Sequence, residues 1–412
     1  MKSDLDYLMK EKNLDAIMIF GDGRNNPAMV YLTGGGHFSS ALCLKMVDKP
    51  AILIHEPMER EEAARTGLRT INLGEYPINN YLSKAHGNDP RQASAYRLVD
   101  IMNDVGFSGG SIAIYGLVDI SVYVPLIKNL EALLPGLSLQ TLQQFDVLSN
   151  AMITKDDDEI ARVRNMGRIT TEVVAQVQDF LCARKVRDRV LYLDDENPLC
   201  VGHIKNRINL WLAERGAENP HGTIFSLGRD AGIPHNSGQD EDVIMTGIPI
   251  VFDIFPCEAG GGYHYDFTRT WSLGYATDEV LQLYEDVYQA YTSSVREIKV
   301  GQPFSAYQEL VCDLFNTAGH PTVRENPATE VGYVHTLGHG LGLRIHEKPF
   351  SRASLPEPNA LLPGMVFTVE PGLYYPEKGM GVRIEDTFYM AKDGVLKVLA
   401  EFPHDLVVPM KG

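Results

Sequence analysis

The sequence predicts two domains: an α/β domain built on a mostly parallel or mixed sheet with flanking helices, then a domain of long helices and several strands. Three observations predict this. Short apolar runs alternate with helical stretches over residues 1–150. Acidic residues crowd a helix start just after residue 153. At roughly 100–200 residues per domain, 412 residues make about two domains. The expected domains are 1–150 and 151–412.

The elements follow in order. AIMIF (Ala16–Phe20), AILI (Ala51–Ile54) and SIAIY (Ser111–Tyr115) are apolar runs of strand length. Arg91–Val105 carries Leu98, Ile101 and Met102 on one helical face, and Gly106 stops it. The second domain opens on Asp156, Asp157, Asp158 and Glu159, whose charge suits a helix N-terminus. Ile160, Val163, Met166, Ile169, Val173, Val177 and Phe180 then recur at helical spacing. Val280–Ile298 is helical in period, with Gly301 as a stop, and Ser305 with Gln308 forms a capping-box pattern for the next helix. Gly247–Phe255, Thr268–Leu273, Met365–Glu370 and Gly381–Thr387 read as strands.

Composition excludes several functions. Lys plus Arg total 37 against 54 Asp plus Glu, a net charge of −17, which lacks the cationic surplus that nucleic acid or an anionic membrane requires. No apolar run reaches the ~18 residues of a membrane-spanning helix. The N-terminus alternates charged and apolar residues, unlike a secretory signal. Cys43, Cys182, Cys200, Cys257 and Cys312 are scattered without a C-x-x-C pair, which fits reduced thiols in the cytoplasm. The sequence has no P-loop, no H-E-x-x-H and no G-x-S-x-G, and GHGLG lacks the spacing of a dinucleotide loop.

The chemical signal lies in carboxylates set among apolar strand residues. Asp253 sits in GIPIVFDIF, where an unpaired carboxylate costs several kcal/mol. It needs a partner, either an Arg or Lys or a bound cation. Asp266 follows in GGYHYDFTRTW, Glu370 ends MVFTVE, and Glu385 lies in GVRIEDT. In a strand, Arg383 and Glu385 share one face and Val382 and Ile384 the other. A shared dication accounts for all four carboxylates. His335, His339 and His346 cluster in HTLGHGLGLRIHE, and the glycines beside His339 permit close backbone approach.

Asp253, Asp266 in YDFTRT, His339 in GHGLG, Glu370 in VEPGLY and Glu385 in RIED together resemble the ligand set of the pita-bread metallopeptidases. That family includes methionine aminopeptidase, Xaa-Pro aminopeptidase, prolidase and creatinase. The resemblance covers residues 151–412, an α+β pita-bread catalytic domain. The first 150 residues resemble the N-terminal domain of the creatinase/prolidase branch, with MVYLTG (Met29–Gly34) similar to its YLTG stretch. Methionine aminopeptidases lack that domain. The resemblance implies that Asp253 chelates one metal, that His339 and Glu370 hold another, and that Asp266 and Glu385 bridge the two. Mn²⁺ heads the implied metals, and Co²⁺, Fe²⁺ or Zn²⁺ also suit oxygen-rich ligands with one imidazole. Two ions about 3.5–4 Å apart lower the pKa of a bridging water and polarise a carbonyl.

The same resemblance implies hydrolysis of the peptide bond before proline, by an Xaa-Pro aminopeptidase or Xaa-Pro dipeptidase. The bridging hydroxide attacks the carbonyl carbon, and Glu370 shuttles the proton to the leaving nitrogen. His235, in GIPHNSG, and His346 match the substrate-side histidines of this branch and donate to the carbonyl and the tetrahedral intermediate. As residues alone, His235 also reads as a polar turn residue. His335 lies one helical turn or two strand steps from His339 and lines the same pocket. Arg383 holds either the bridging carboxylate or the substrate end, or else forms a structural salt bridge. Tyr374 and Tyr375 follow the Glu370 turn. The implied assembly is a homodimer, the substrate a small peptide with proline second, and no nucleic acid or membrane takes part.

Two features depart from the family pattern. Asp253 and Asp266 stand 13 positions apart, longer than usual, with the extra length in CEAGGG (Cys257–Gly262). Arg344 replaces a common acidic residue, and either attracts a carboxylate or pairs with Glu347. The fold also hosts C–N hydrolases of small molecules, such as creatinase and ectoine hydrolase, a dimethylsulfoniopropionate lyase, and non-catalytic scaffolds. Creatinase has lost the ligands that this chain keeps. A scaffold would carry five polar groups with nothing to bind them.

Overall fold

The structure, a computed structural model, describes residues 2–140, 146–352 and 360–410. It divides into two compact units, Met1–Met152 with Gly260–Gly262, and Ile153–Ala259 with Tyr263–Gly412.

The first unit is built on a six-stranded mixed sheet. Its strands are β1 (Ala16–Gly21), β2 (Ala41–Met46), β3 (Ile52–His55), β4 (Arg69–Asn72), β5 (Gly110–Leu117) and β6 (Leu137–Leu139), in the order β4-β3-β2-β1-β5-β6. Central β1 pairs antiparallel with β2 and parallel with β5. All six β1 residues are buried, as a two-sided apolar run requires. Helix Pro90–Asp104 starts with proline in its first turn and an Asp89 carboxylate accepting from Arg91 N at 2.9 Å. Its Leu98, Ile101 and Met102 enter the core, and Gly106 follows at φ +81°. The YLTG stretch ends helix Pro27–Thr33, where Gly34 takes the left-handed cap that glycine favours.

The second unit opens with helix Asp157–Cys182. Asp156 accepts from Glu159 N at 2.9 Å and Glu159 accepts from Asp156 N at 2.8 Å, so the acidic run forms a reciprocal capping box. The buried stripe runs Ile160, Val163, Met166, Ile169, Val173, Val177 and then Leu181. Phe180 lies off that stripe, edge-on to Trp211 with ring centroids 6.3 Å apart. Helix Asp278–Glu297 and helix Ser305–Thr317 pack their apolar faces on one core. The expected Ser305–Gln308 capping box does not form. Gln308 is drawn inward, where Oε1 accepts from Leu337 N at 2.5 Å and Tyr333 OH at 3.1 Å.

Two sheets carry the site. The first runs β7 (Thr223–Leu227), β8 (Pro249–Ile254), β9 (Phe267–Leu273) and a short strand Val407–Val408. The second runs β11 (Glu347–Phe350), β10 (His339–Gly340), β12 (Val366–Val369), β15 (Asp386–Met390) and Leu396–Val398. A separate hairpin joins β13 (Gly372–Tyr375) to β14 (Met380–Arg383). The single strand expected over Gly381–Thr387 is therefore two strands broken at Ile384–Glu385, where Glu385 bridges Thr268 instead. No helix among the described residues is long and apolar enough to cross a membrane.

The capping box makes a direct stability prediction. Asp156→Ala should lower the unfolding free energy by about 1 kcal/mol. A urea-melt midpoint equal to that of the unaltered chain would remove the cap from the account.

Candidate metal centre

Strand pairing brings the four carboxylates and His339 together. Asp253 lies in β8 opposite Thr268 of β9. Asp266 immediately precedes β9. The residues between them form a return: Cys257–Glu258 pairs with Ala217–Glu218, and Glu258 N donates to Tyr263 O at 3.1 Å. CEAGGG lies in this return, and Asp266 comes back beside Asp253. Glu385 meets Thr268 through two backbone hydrogen bonds, and its Oε2 accepts from Thr268 Oγ1 at 2.6 Å. Glu370 follows β12, with Oε1 accepting from Thr368 Oγ1 at 3.1 Å.

The GHGLG glycines set His339 in place by backbone contact. A Cβ at Gly338 would stand 2.1 Å from Thr368 O, and one at Gly340 would stand 2.0 Å from Lys348 O. Only glycine permits those approaches.

Proton placement decides what the centre can hold. His339 Nδ1 lies 3.0 Å from Gly340 O, and a carbonyl can only accept, so Nδ1 carries the proton. Nε2 therefore presents a lone pair, 3.6 Å from Asp266 Oδ2 and 3.4 Å from Glu370 Oε1. Burial, and then His346 nearby, push the His339 pKa down to about 3, so these contacts are not ion pairs. Asp266, His339 and Glu385 each offer a ligand atom, all within 4.8 Å of one another. Asp253 Oδ1 and Asp266 Oδ1 are buried with no hydrogen-bond partner. Facing acceptors with orphaned oxygens fit a cation.

Electrostatics agree. Burial and neighbouring carboxylates raise Asp266 and Glu385 well above the usual carboxylate range. Burial pushes Glu370 up to about 8. Proximity to like charge makes each carboxylate harder to ionise while no cation is bound.

Of the readings open for Arg383, the structure shows a salt bridge within the protein. Its guanidinium pairs with Asp253 through Nη2, not with Glu385. Nη1 donates to Tyr374 OH at 2.7 Å and to Pro234 O at 3.3 Å, and Nε donates to Thr268 Oγ1 at 3.3 Å. All three nitrogens donate to protein acceptors, and the residue also lines the cavity over the centre. His335 is committed as well. Its Nδ1 donates to Thr336 O at 2.8 Å, and its Nε2 accepts from Tyr374 OH at 2.8 Å. Tyr375 turns away and meets His320 at 2.6 Å.

A cavity of about 1320 Å³ opens over the centre. Asp253, Asp266, His339, Glu370 and Glu385 line it, with His235, His335, His346 and Arg383. His346 stands edge-on to His339, ring centroids 4.4 Å apart. His221 also lines the cavity and stacks beside His264, with centroids 6.1 Å apart. Neither was singled out in the sequence. His264 had a visible signal, two places before Asp266, whereas His221 had none. Arg344 does not pair with Glu347 through its side chain. Its backbone N donates to Glu347 Oε1 at 2.9 Å, and the ion pair is Lys155–Glu347.

A buried carboxylate-rich centre on paired sheets, below an open cavity, has a donor set that suits a metal-dependent hydrolase. The pattern that describes metallopeptidase family M24 matches residues 161–392, and this chain belongs to that family. A probable dipeptidase, PepE, of Mycobacterium tuberculosis is 30% identical over 263 residues, 64% of this chain and 62% of that protein. An Xaa-Pro dipeptidase of Pyrococcus furiosus is 28% identical over 255 residues, 61% of this chain and 65% of that protein. These matches thus span less than two thirds of the relatives' lengths. Among solved structures, a dipeptidase from Pyrococcus horikoshii superposes with a TM-score of 0.73 at 22% identity, covering 98% of this chain and 99% of that one. An X-Pro aminopeptidase from Thermotoga maritima gives 0.71 at 22% identity, covering 96% and 97%. At these identities the likeness shows the fold, the two-domain pita-bread architecture.

The metal-free protein should lose stability as pH rises from 6.5 to 8. Glu370 has a folded pKa of about 8, above its ordinary 4.5, so its contribution is complete below 4.5 and is lost through 8. His335 and His339, at about 3 against an ordinary 6.5, oppose this only below 6.5. Thermal melts of metal-stripped protein check the slope, and a midpoint that rises across this window would contradict it. Added divalent metal should flatten the fall, because its ligands bind deprotonated.

Proposed function

We propose that this chain is a divalent-metal-dependent peptidase that cleaves short peptides before proline. The observation that carries this reading is the ring of mutually facing acceptors around His339 Nε2 on the floor of an open cavity. Asp253, Asp266, His339, Glu370 and Glu385 would hold two divalent ions, Mn²⁺ first and Co²⁺, Zn²⁺ or Fe²⁺ as alternatives. When bound, such a pair lowers the pKa of water and polarises the scissile carbonyl.

The protein's own groups supply the rest. Glu370 keeps 15% of its side chain exposed toward the cavity, and it takes a proton from water and returns it to the leaving nitrogen. His235 and His346, on the cavity wall, donate to the carbonyl oxygen as negative charge develops there. Arg383, braced by Tyr374, holds Asp253 in place at the cavity wall. The names of the relatives, dipeptidase and Xaa-Pro dipeptidase, support a short peptide. The reading also takes a homodimer in the cytoplasm, by family resemblance; none of the five cysteines forms a disulfide.

The test uses an Ala-Pro dipeptide and an Ala-Pro-Ala tripeptide, with metal-stripped protein and added Mn²⁺, Co²⁺ or Zn²⁺. Metal-dependent cleavage before proline is expected. No cleavage of either peptide, by protein shown to hold metal, would overturn the reading. Asp266→Ala should lose metal and activity together, measured by elemental analysis and turnover. His235→Ala should keep its metal and lower kcat by ~10²–10³, the cost of an oxyanion donor. Unchanged turnover would leave His235 as a turn residue.

A further inference from the structure

We infer that the buried Lys155–Glu347 ion pair is a positioning device that aims His346 at the candidate metal centre. Glu347 directly follows His346 and opens β11, where it pairs with Gly340, the residue after His339. Its Oε2 accepts from Lys155 Nζ at 2.8 Å, and the two side chains are 2% and 6% exposed. Its Oε1 accepts from Arg344 N at 2.9 Å. One carboxylate therefore closes the turn Arg344–Glu347 at its first residue and ties it to a fixed ammonium at its last. His346 rides between the two ties.

The opposite side of the loop is held independently. His264 N donates to Gly342 O at 2.7 Å, and Gly342 N donates to Arg344 O at 3.0 Å. A Cβ on Gly342 would stand 2.6 Å from Glu347 Oε2 and 2.9 Å from Lys155 Cε. The last glycine of GHGLG is thus the residue over which the ion pair passes. Lys155 is anchored in turn by its backbone N on Gly364 O at 2.8 Å, just before the Asp156 cap.

Stability does not account for the pair. The desolvation of two buried charges cancels much of their attraction, and apolar side chains of like volume fill such sites equally well. Apolar side chains cannot accept from Arg344 N or fix the turn by direction. Among the described residues, His346 lines the cavity while Lys155 and Glu347 do not. The pair therefore acts through His346. This inference rests on the reading in which His346 faces the substrate carbonyl.

The experiment compares Glu347→Gln, His346→Ala and the double variant as full chains with Mn²⁺ on whichever proline peptide is cleaved. Glu347→Gln should keep its metal content and KM. Its kcat should fall by about 10–100-fold, the order of loss that a misplaced catalytic group brings. The double variant should be no slower than His346→Ala alone. Factors that multiply, or an unchanged kcat, would overturn the inference. A second readout needs no substrate: the imidazole ¹H–¹³C spectrum of the metal-free chain, with the His346 signal assigned from its loss in His346→Ala. Glu347→Gln should shift or broaden that signal, and an unmoved signal would overturn the inference. Silent peptide assays beside a shifted signal would count against the peptidase reading alone. Should Glu347→Gln fail to fold, the paired replacement Lys155→Met with Glu347→Met keeps the test open. It should melt near the unaltered chain yet show the same displaced His346 signal; an unmoved signal there would make the ion pair structural only.

Discussion

In the C-terminal unit, His339 Nε2 faces carboxylate oxygens of Asp266 and Glu370 at 3.6 and 3.4 Å, with its own proton on the far nitrogen. With the carboxyls ionised, everything in that face is an acceptor. Two full charges ~4 Å apart repel by about 4 kcal/mol at an effective dielectric of ~20. A few such pairs rival the whole stability of a domain, about 5–15 kcal/mol. Something must relieve the repulsion. Arg383 relieves it at Asp253. Protons relieve it elsewhere: burial first, and the Asp253 charge after it, make Glu370 hold its proton up to about pH 8. A dication held there would do the same work at neutral pH without protonating the ligands.

The surrounding fold keeps these groups from moving apart. Arg269, fully buried, donates to Asp386 and to the carbonyls of Thr268, Glu385, Phe402 and Pro403. Tyr291 and His404 also meet Asp386. This hub lies directly behind Glu385 and pins the break between β14 and β15. Thr268 fastens the front, with its backbone and hydroxyl both on Glu385. The carboxylates thus sit in or beside the ends of strands whose hydrogen bonds are already made, which limits the reorganisation that an entering cation would need.

Much of this was legible in the sequence because it depends on local pattern. Asp253 and Asp266 stood out as charges inside apolar strand runs, and the helix from Asp157 announced itself by its acids and its period. The partners were not legible. Arg383 and Asp253 lie 130 residues apart, and Lys155 and Glu347 lie 192 apart. No periodicity links such positions. The face argument for Arg383 and Glu385 assumed one continuous strand, and the break at Ile384–Glu385 gave the two side chains different partners. Gln308 misled for a related reason: a capping pattern is local, whereas the buried Leu337 N–H needed an acceptor that Gln308 could reach.

Hydrogen-bond direction then separates the histidines by task. His335 donates through Nδ1 to Thr336 O, so its Nε2 must accept, and Tyr374 OH must donate to it. That leaves the Tyr374 oxygen to accept from Arg383, whose other terminal nitrogen holds Asp253. The chain runs one way, and each member has one proton placement. A guanidinium is required, because an ammonium could not reach Tyr374, Thr268 and Asp253 in one plane. Groups locked in this chain serve the centre's shape. In the proposed reaction, contact with substrate falls instead to the imidazoles on the cavity wall, His235 and His346, with His221 beside them.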